Sequence, residues 1–177
     1  MSMSRSALLA TLATLAAPAA FGEEFEPVHV VHSGTFDLEA PPEKAFHLFT
    51  APGEKLWVPG WDPEILSGDG TEEGTVWVTG HGDETTIWVV VDFDTTAHRA
   101  RYARITPSSR AGTVEVRLHA NHDGGSTVTV KYELTALSES GNQNLTDFDA
   151  KAYSEMLKEW KDLILAADID YEALSSQ

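Results

Sequence analysis

The sequence predicts an α+β domain in which a curved antiparallel β-sheet wraps around one long carboxy-terminal α-helix. Two patterns carry this expectation. Between Thr75 and Leu137, five β-branched and aromatic runs follow one another with short turn signals between them. From Leu145 to Ala167, the residues Leu145, Phe148, Ala152, Met156, Trp160, Leu163 and Ala167 recur every three or four positions, the repeat of an amphipathic helix. A one-sided sheet needs a cover for its apolar face, and that helix is the only large one the chain offers.

Each element has its own signal. His29–Ala40 alternates toward its end, with Phe36 and Leu38 apolar among Thr35, Asp37 and Glu39, and reads as a half-buried strand. Ala40-Pro-Pro-Glu breaks it and opens a short helix over Glu43–Thr50, which puts Ala45, Phe46 and Phe49 on one face and ends at Pro52-Gly53. Leu56–Gly70, with two tryptophans, reads as an ordered loop or short helix. The strands follow at Thr75–Thr79, Thr85–Phe93, Ala100–Ile105, Thr113–Ala120 and Thr127–Leu137. The last two alternate most cleanly: Val114, Val116 and Leu118 against Glu115, Arg117 and His119, then Val128, Val130, Tyr132 and Leu134 against Thr129, Lys131 and Glu133. Asn144 or Thr146-Asp147 can cap the final helix, which makes the sequon Asn144-Leu-Thr146 a helix start rather than a glycosylation site.

Length and charge bound the function. The chain has 177 residues, 12 Lys+Arg, 28 Asp+Glu, a formal net charge of −16 and no cysteine. That length suits one domain, and the missing cysteine excludes a disulfide scaffold, thiolate zinc, an Fe–S cluster and a cysteine nucleophile. The acidic balance argues against a nucleic-acid partner. Residues 1–22 read as a signal peptide: Arg5, an Ala/Leu/Thr run from Ala7, then small residues around Ala20-Phe-Gly22. The run is too short to span a bilayer, and no other segment is apolar enough. The organisation is therefore a leader at 1–22, a domain at 23–168 and a polar tail at 169–177. With the leader cleaved the protein is periplasmic or secreted; without export it is cytoplasmic.

A helix gripped by a sheet can leave a pocket between them, and several residues should face it. Tyr102 and Tyr132 have inward parity on their strands, and a buried hydroxyl needs a partner. His32 shares parity with Phe36 and Leu38. Trp160 lies on the helix face of Met156 and points into the grip. Trp77 and Trp88 sit on strands that are apolar on both faces, so no side can be assigned. Arg99, Arg101 and Arg104 could reach a ligand carboxylate, but in so acidic a chain they read as partners of surface carboxylates. Asp92 and Asp94 read as turn residues. The pairs His29/His32 and His119/His122 lack metal-ligand spacing, so neither a metal nor another cofactor is expected, and no nucleophile or nucleotide motif is present.

The stretch Phe36-Asp-Leu-Glu-Ala-Pro-Pro-Glu-Lys-Ala-Phe-His-Leu-Phe-Thr50 is a strand entering a helix through proline. With Leu56-Trp-Val-Pro-Gly-Trp-Asp-Pro63, Thr86–Asp94 and Met156–Ile164, it resembles the START-like superfamily, also called SRPBCC, Bet v 1-like or helix-grip. The resemblance covers about Val30 to Ala167. It implies a mostly apolar cavity between sheet and helix, and it makes Trp57 and Trp61, in the loop that forms a portal in that fold, candidates for the cavity wall beside His32, Tyr102, Tyr132, Met156 and Trp160. The reading that follows is a protein binding a small hydrophobic or amphipathic ligand. The alternatives are an enzyme similar to polyketide cyclases and dehydrases, with His32, Tyr102 or Tyr132 as acid or base, and an interaction module resembling the activator of Hsp90 ATPase.

Overall fold

The alternating stretches of the chain form seven strands: β1 (His29–Leu38), β2 (Glu64–Ser67), β3 (Val76–His81), β4 (Glu84–Asp94), β5 (Arg99–Thr106), β6 (Arg110–Ala120) and β7 (Ser126–Ala136). A computed structural model describes residues 25–174, so the leader read at 1–22 lies outside the described residues. The strands build one antiparallel sheet in the order β1-β7-β6-β5-β4-β3-β2. From β2 onward it is a meander of neighbours, and β1 crosses over to pair with β7 along its whole length, from His29↔Thr135 to Leu38↔Ser126. β2 is an addition to the expected strands. Its four residues are all exposed, so they show no inward–outward alternation to read.

The sheet curves around its apolar face. In β4 the register slips between Val90 and Asp92, a bulge that leaves Val91 exposed and bends the strand. The bulge also resets parity. Val90 and, past the slip, Phe93 stay on the concave side, while Asp92 turns out to form an ion pair with Arg99 at 2.7 Å.

The connection from β1 to β2 is not the single helix expected over Glu43–Thr50. It is α1 (Pro42–Ala45), a 3-10 turn (Phe46–Phe49) and α2 (Ala51–Glu54). Thr50 is extended and caps α2, its hydroxyl accepting from the Gly53 N–H at 3.1 Å. Pro52 therefore sits in the first turn of α2 instead of ending a helix, where its missing N–H costs nothing. Gly53 is needed because a Cβ there would collide with the His47 carbonyl. Phe46, Leu48 and Phe49 are all essentially inaccessible and plug one end of the sheet.

The carboxy-terminal helix is also divided, into α3 (Glu139–Asp147) and α4 (Ala150–Ala166). The apolar repeat runs through Phe148 as if the helix were continuous, but Phe148 leaves helical geometry and Asp149 caps α4 by accepting from the Ala152 N–H at 2.8 Å. Ser138 caps α3, so Asn144 is interior to that helix and donates to Ser109. The expected polar tail is partly structural. Ile169 and Tyr171 pack on the core, and Leu174 is buried at the end of α5 (Tyr171–Leu174). Among the described residues no helix is long and apolar enough to cross a membrane.

Helix α4 lies against β1, where Gly34 admits it. A Cβ on Gly34 would stand 2.5 Å from Leu157 Cδ1 and 3.3 Å from Tyr153 Cε1. Tyr153 completes the contact by donating its hydroxyl to the Val130 carbonyl at 2.7 Å. Gly34→Val should therefore destabilise the protein by about 1–3 kcal/mol through overpacking. Thr35→Val, on the exposed side of the same strand, should stay within about 0.5 kcal/mol of the parent. Urea unfolding of the two variants checks this.

Candidate functional site

Strand register decides which side chains meet on the concave face. One row crosses β4, β5, β6, β7 and β1 as Val90, Tyr102, Val114, Tyr132 and His32. The next row runs Trp77, Trp88, Arg104, Gly112 and Leu134. Gly112 contributes no side chain to it, and a Cβ there would collide with the Glu133 carbonyl, so only glycine lets β6 run this close to β7. Between these rows, the end of α2 and Trp160 of α4, a chamber of about 200 Å³ remains open. Trp61, Trp77, Trp88, Trp160, Tyr102 and Tyr132 supply most of its wall, with Phe49, Val58, Val114 and Val116. Glu54 and Arg104 are its charged residues. A wider cleft of about 500 Å³, lined by Met156, Phe148, Leu145 and Glu84 among others, shares Tyr132 and Arg104 with the chamber.

The segment carrying Glu54 is fixed from several sides. Tyr102 donates its hydroxyl to the Phe49 carbonyl at 2.7 Å, Trp57 its indole N–H to Leu48 at 2.8 Å, and Trp61 its indole N–H to Ala51 at 2.9 Å. These carbonyls belong to short helical turns with few intrahelical donors, and each bond removes a buried acceptor that would otherwise be unsatisfied. Glu54 follows directly. By surface area the residue is only partly buried; it lines the chamber, and its carboxyl pairs with no described cation or hydrogen-bond donor. Burial alone pushes its pKa up to about 8, so at neutral pH it is a carboxylic acid with an O–H to donate.

Arg104 stands one same-face step along β5 from Tyr102, about 7 Å away. Its guanidinium carbon lies 5.4 Å from the centre of the Trp88 ring, and its Nε is buried without an acceptor among the described residues. Desolvation lowers its pKa from the ordinary arginine value. The carboxylate whose field reaches it, Glu84, is committed to Arg110 at 3.3 Å. Tyr132 shares the chamber wall with Glu54 and Arg104. Its pKa is pushed up to about 12 by burial first, with Arg104 pulling down and Glu54 pushing up.

Five of the seven residues expected at the cavity are at one of these two spaces. Trp61, Tyr102, Tyr132 and Trp160 line the chamber, and Met156 lines the adjoining cleft. Trp57 and His32 do not. Trp57 is core, buried behind Phe49 and Trp160, because its N–H is drawn to Leu48 instead of a ligand. His32 has the expected parity but sits at the α3–α4 junction, where Nε2 bonds the Phe148 carbonyl at 2.8 Å and the ring stacks on Tyr153. Tyr102 lines the wall with its hydroxyl already spent, which removes it as an acid or base. Arg104 corrects the expectation of surface pairing, whereas Arg99 fulfils it with Asp92. Trp77 and Trp88 both take the concave side, stacked 5.9 Å apart.

Glu54 makes a pH prediction with a definite sign. Folded protein keeps this proton up to about pH 8, whereas an unfolded chain releases it near the ordinary value of 4.5. Across that window the native state binds the extra proton, so stability falls as pH rises, by at most about 1.4 kcal/mol per pH unit. Glu54→Gln keeps the shape and abolishes the titration. Its urea-unfolding free energy should decline less steeply than the parent's between about pH 5 and about pH 8. Parallel profiles would mean that the carboxyl is hydrated and ionises normally.

The family described as "Polyketide cyclase / dehydrase and lipid transport" matches residues 28–160. No curated protein matches the sequence significantly. Among solved structures, Ara h 8.0201 is 19% identical, with a TM-score of 0.56 over 78% of this chain and 99% of its own. Truncated norcoclaurine synthase from Thalictrum flavum is 13% identical, with a TM-score of 0.58 over 82% and 99%. A protein from Rhizobium leguminosarum is 15% identical, with a TM-score of 0.57 over 85% and 97%. These likenesses show a shared fold, a curved antiparallel sheet gripping a carboxy-terminal helix. With the family match over most of the domain, the chain belongs to the polyketide cyclase/dehydrase and lipid transport family of the START-like, or SRPBCC and Bet v 1-like, superfamily.

Proposed function

We propose that this protein binds a small, flat, hydrophobic or amphipathic molecule in the chamber between sheet and α4. One observation carries the reading. A space of about 200 Å³ stays open between the sheet and α4, and its wall is mainly indole and phenol rings, which give a planar ligand large contact area with little loss of side-chain freedom. The family description, which includes lipid transport, supports a ligand of this character. So does norcoclaurine synthase of the same fold, whose structure was determined in complex with dopamine and hydroxybenzaldehyde.

Native mass spectrometry of protein from its own host, followed by denaturing extraction, tests the proposal. The expected result is a stoichiometric small molecule carried by the parent. Val114→Phe fills the middle of the chamber and should reduce the bound fraction at least tenfold while leaving the protein folded. Equal loading of parent and variant would place the molecule elsewhere.

A second reading, an enzyme using the same chamber, is favoured by Glu54. A carboxyl with a pKa near 8 can give or take a proton at neutral pH, the property a general acid or base requires. On this reading Glu54→Gln retains the ligand but loses turnover. The proposed location is outside the cytoplasm, reached through the leader at 1–22. Intact mass of the protein from its host should then equal residues 23–177 or 20–177, and an uncut chain would overturn export.

A further inference from the structure

We propose that the chamber is built for an anion, a carboxylate or enolate on a flat apolar skeleton, with its charge on Arg104. This rests on the chamber-binding reading and adds the charge and polarity of the ligand.

The argument comes from an inventory of what the wall offers. Three of its polar groups are already used inside the protein: Tyr102 bonds Phe49, Trp61 bonds Ala51, and the Trp88 N–H bonds the Thr79 hydroxyl at 3.0 Å. The remaining groups can all donate, and Arg104 and Trp77 can do nothing else. Arg104 has a buried Nε without an acceptor, and Trp77 has a buried indole N–H without one. Glu54, kept neutral by burial, presents an O–H and has no partner of its own among the described residues. The Tyr132 hydroxyl, also without a hydrogen bond among the described residues, feels both Arg104 and Glu54 and can donate to a ligand oxygen. Among the described residues Glu54 is the one carboxyl that lines the chamber, and Glu84, beyond it in the cleft, is paired with Arg110.

The enclosed charge is therefore positive, inside a chain whose formal net charge is −16. A half-buried guanidinium whose Nε has no acceptor and whose nearest carboxylate, Glu84, is committed to Arg110 is costly, because its lost hydration is not replaced by a bonded anion. The Trp88 face returns only part of that loss. An anionic ligand returns the rest and makes a charge-assisted hydrogen bond in a water-poor site. A neutral ligand of the same shape leaves the Arg104 Nε without an anionic partner, and a cationic one meets repulsion. The same donors reject a ligand of hydrocarbon alone, which would seal several N–H and O–H groups away from any acceptor.

The test uses two planar probes of nearly equal size and opposite polarity, 2-naphthoate and 2-naphthamide, titrated into the full-length protein at about pH 6.5 and read by calorimetry. The expected result is that 2-naphthoate binds at least tenfold more tightly than 2-naphthamide. Arg104→Gln should bring the two affinities together, and Arg104→Lys should restore much of the preference. Thermal melting verifies that each variant is folded, and the parent comparison decides the charge question without any variant. Equal affinities in the parent would overturn the anion proposal and leave the chamber reading standing. Failure of both probes to bind would overturn the two together. A preference for 2-naphthoate that survives Arg104→Gln would remove Arg104 as the anion's partner and overturn the assignment.

Discussion

The indole N–H groups of Trp57 and Trp61 and the hydroxyl of Tyr102 each donate to a carbonyl between Leu48 and Ala51, and the site depends on that anchoring. Phe46, Leu48 and Phe49 drive this segment into the end of the sheet, but apolar burial is non-directional and would tolerate several positions. The hydrogen bonds fix one of them. Two come from the loop that follows α2 and the third comes from β5, so the plug is tied both to its own continuation and to the sheet. Glu54 sits three residues past the last anchored carbonyl. It is held against the chamber because its neighbours are held, for no described residue bonds its carboxyl directly.

That arrangement works against stability. A neutral carboxylic acid and an unpaired guanidinium in one aromatic enclosure are each less favourable than an apolar residue of similar volume. Proteins tolerate such conflicts between local rule and global fold mainly where the site is used. Away from the chamber the concave face follows the ordinary pattern: Leu118, Val128 and Val130 are almost inaccessible. The two exceptions stand at the rim of the same 200 Å³ space.

Much of the architecture was legible in the sequence because burial on one face writes itself as alternation. β6 and β7 show this most clearly, and parity on those strands and on β5 correctly turned Tyr102 and Tyr132 inward. β2 escaped because a fully exposed strand has no such signature. The division of the last helix escaped because Phe148 keeps the apolar spacing while its backbone turns away, held by contacts with His32 from the far end of the chain. Arg104 could have been found: it is two residues from Tyr102, so an inward tyrosine implies an inward arginine. Charge type outweighed parity in that reading. Glu54 left no signal, since a lone Glu beside Lys55 looks the same on a surface and in a chamber. Trp57 misled because position in a loop says nothing about which carbonyl an indole will find.

Four of the chain's five tryptophans line one small volume, and the fifth, Trp57, stands behind Trp160. Trp77 and Trp88 lie parallel at 5.9 Å, Trp61 meets Trp88 at 6.1 Å, and Trp57 meets Trp160 at 5.4 Å. At such separations excitation passes between indoles faster than it is emitted. The near-parallel pair should split its ultraviolet transitions into a circular-dichroism couplet that unfolding abolishes. Light absorbed by any of these rings is shared among its neighbours, so an absorbing occupant would dim the emission of the whole cluster. The chamber thus carries a built-in optical antenna, and its occupancy can be followed without a label.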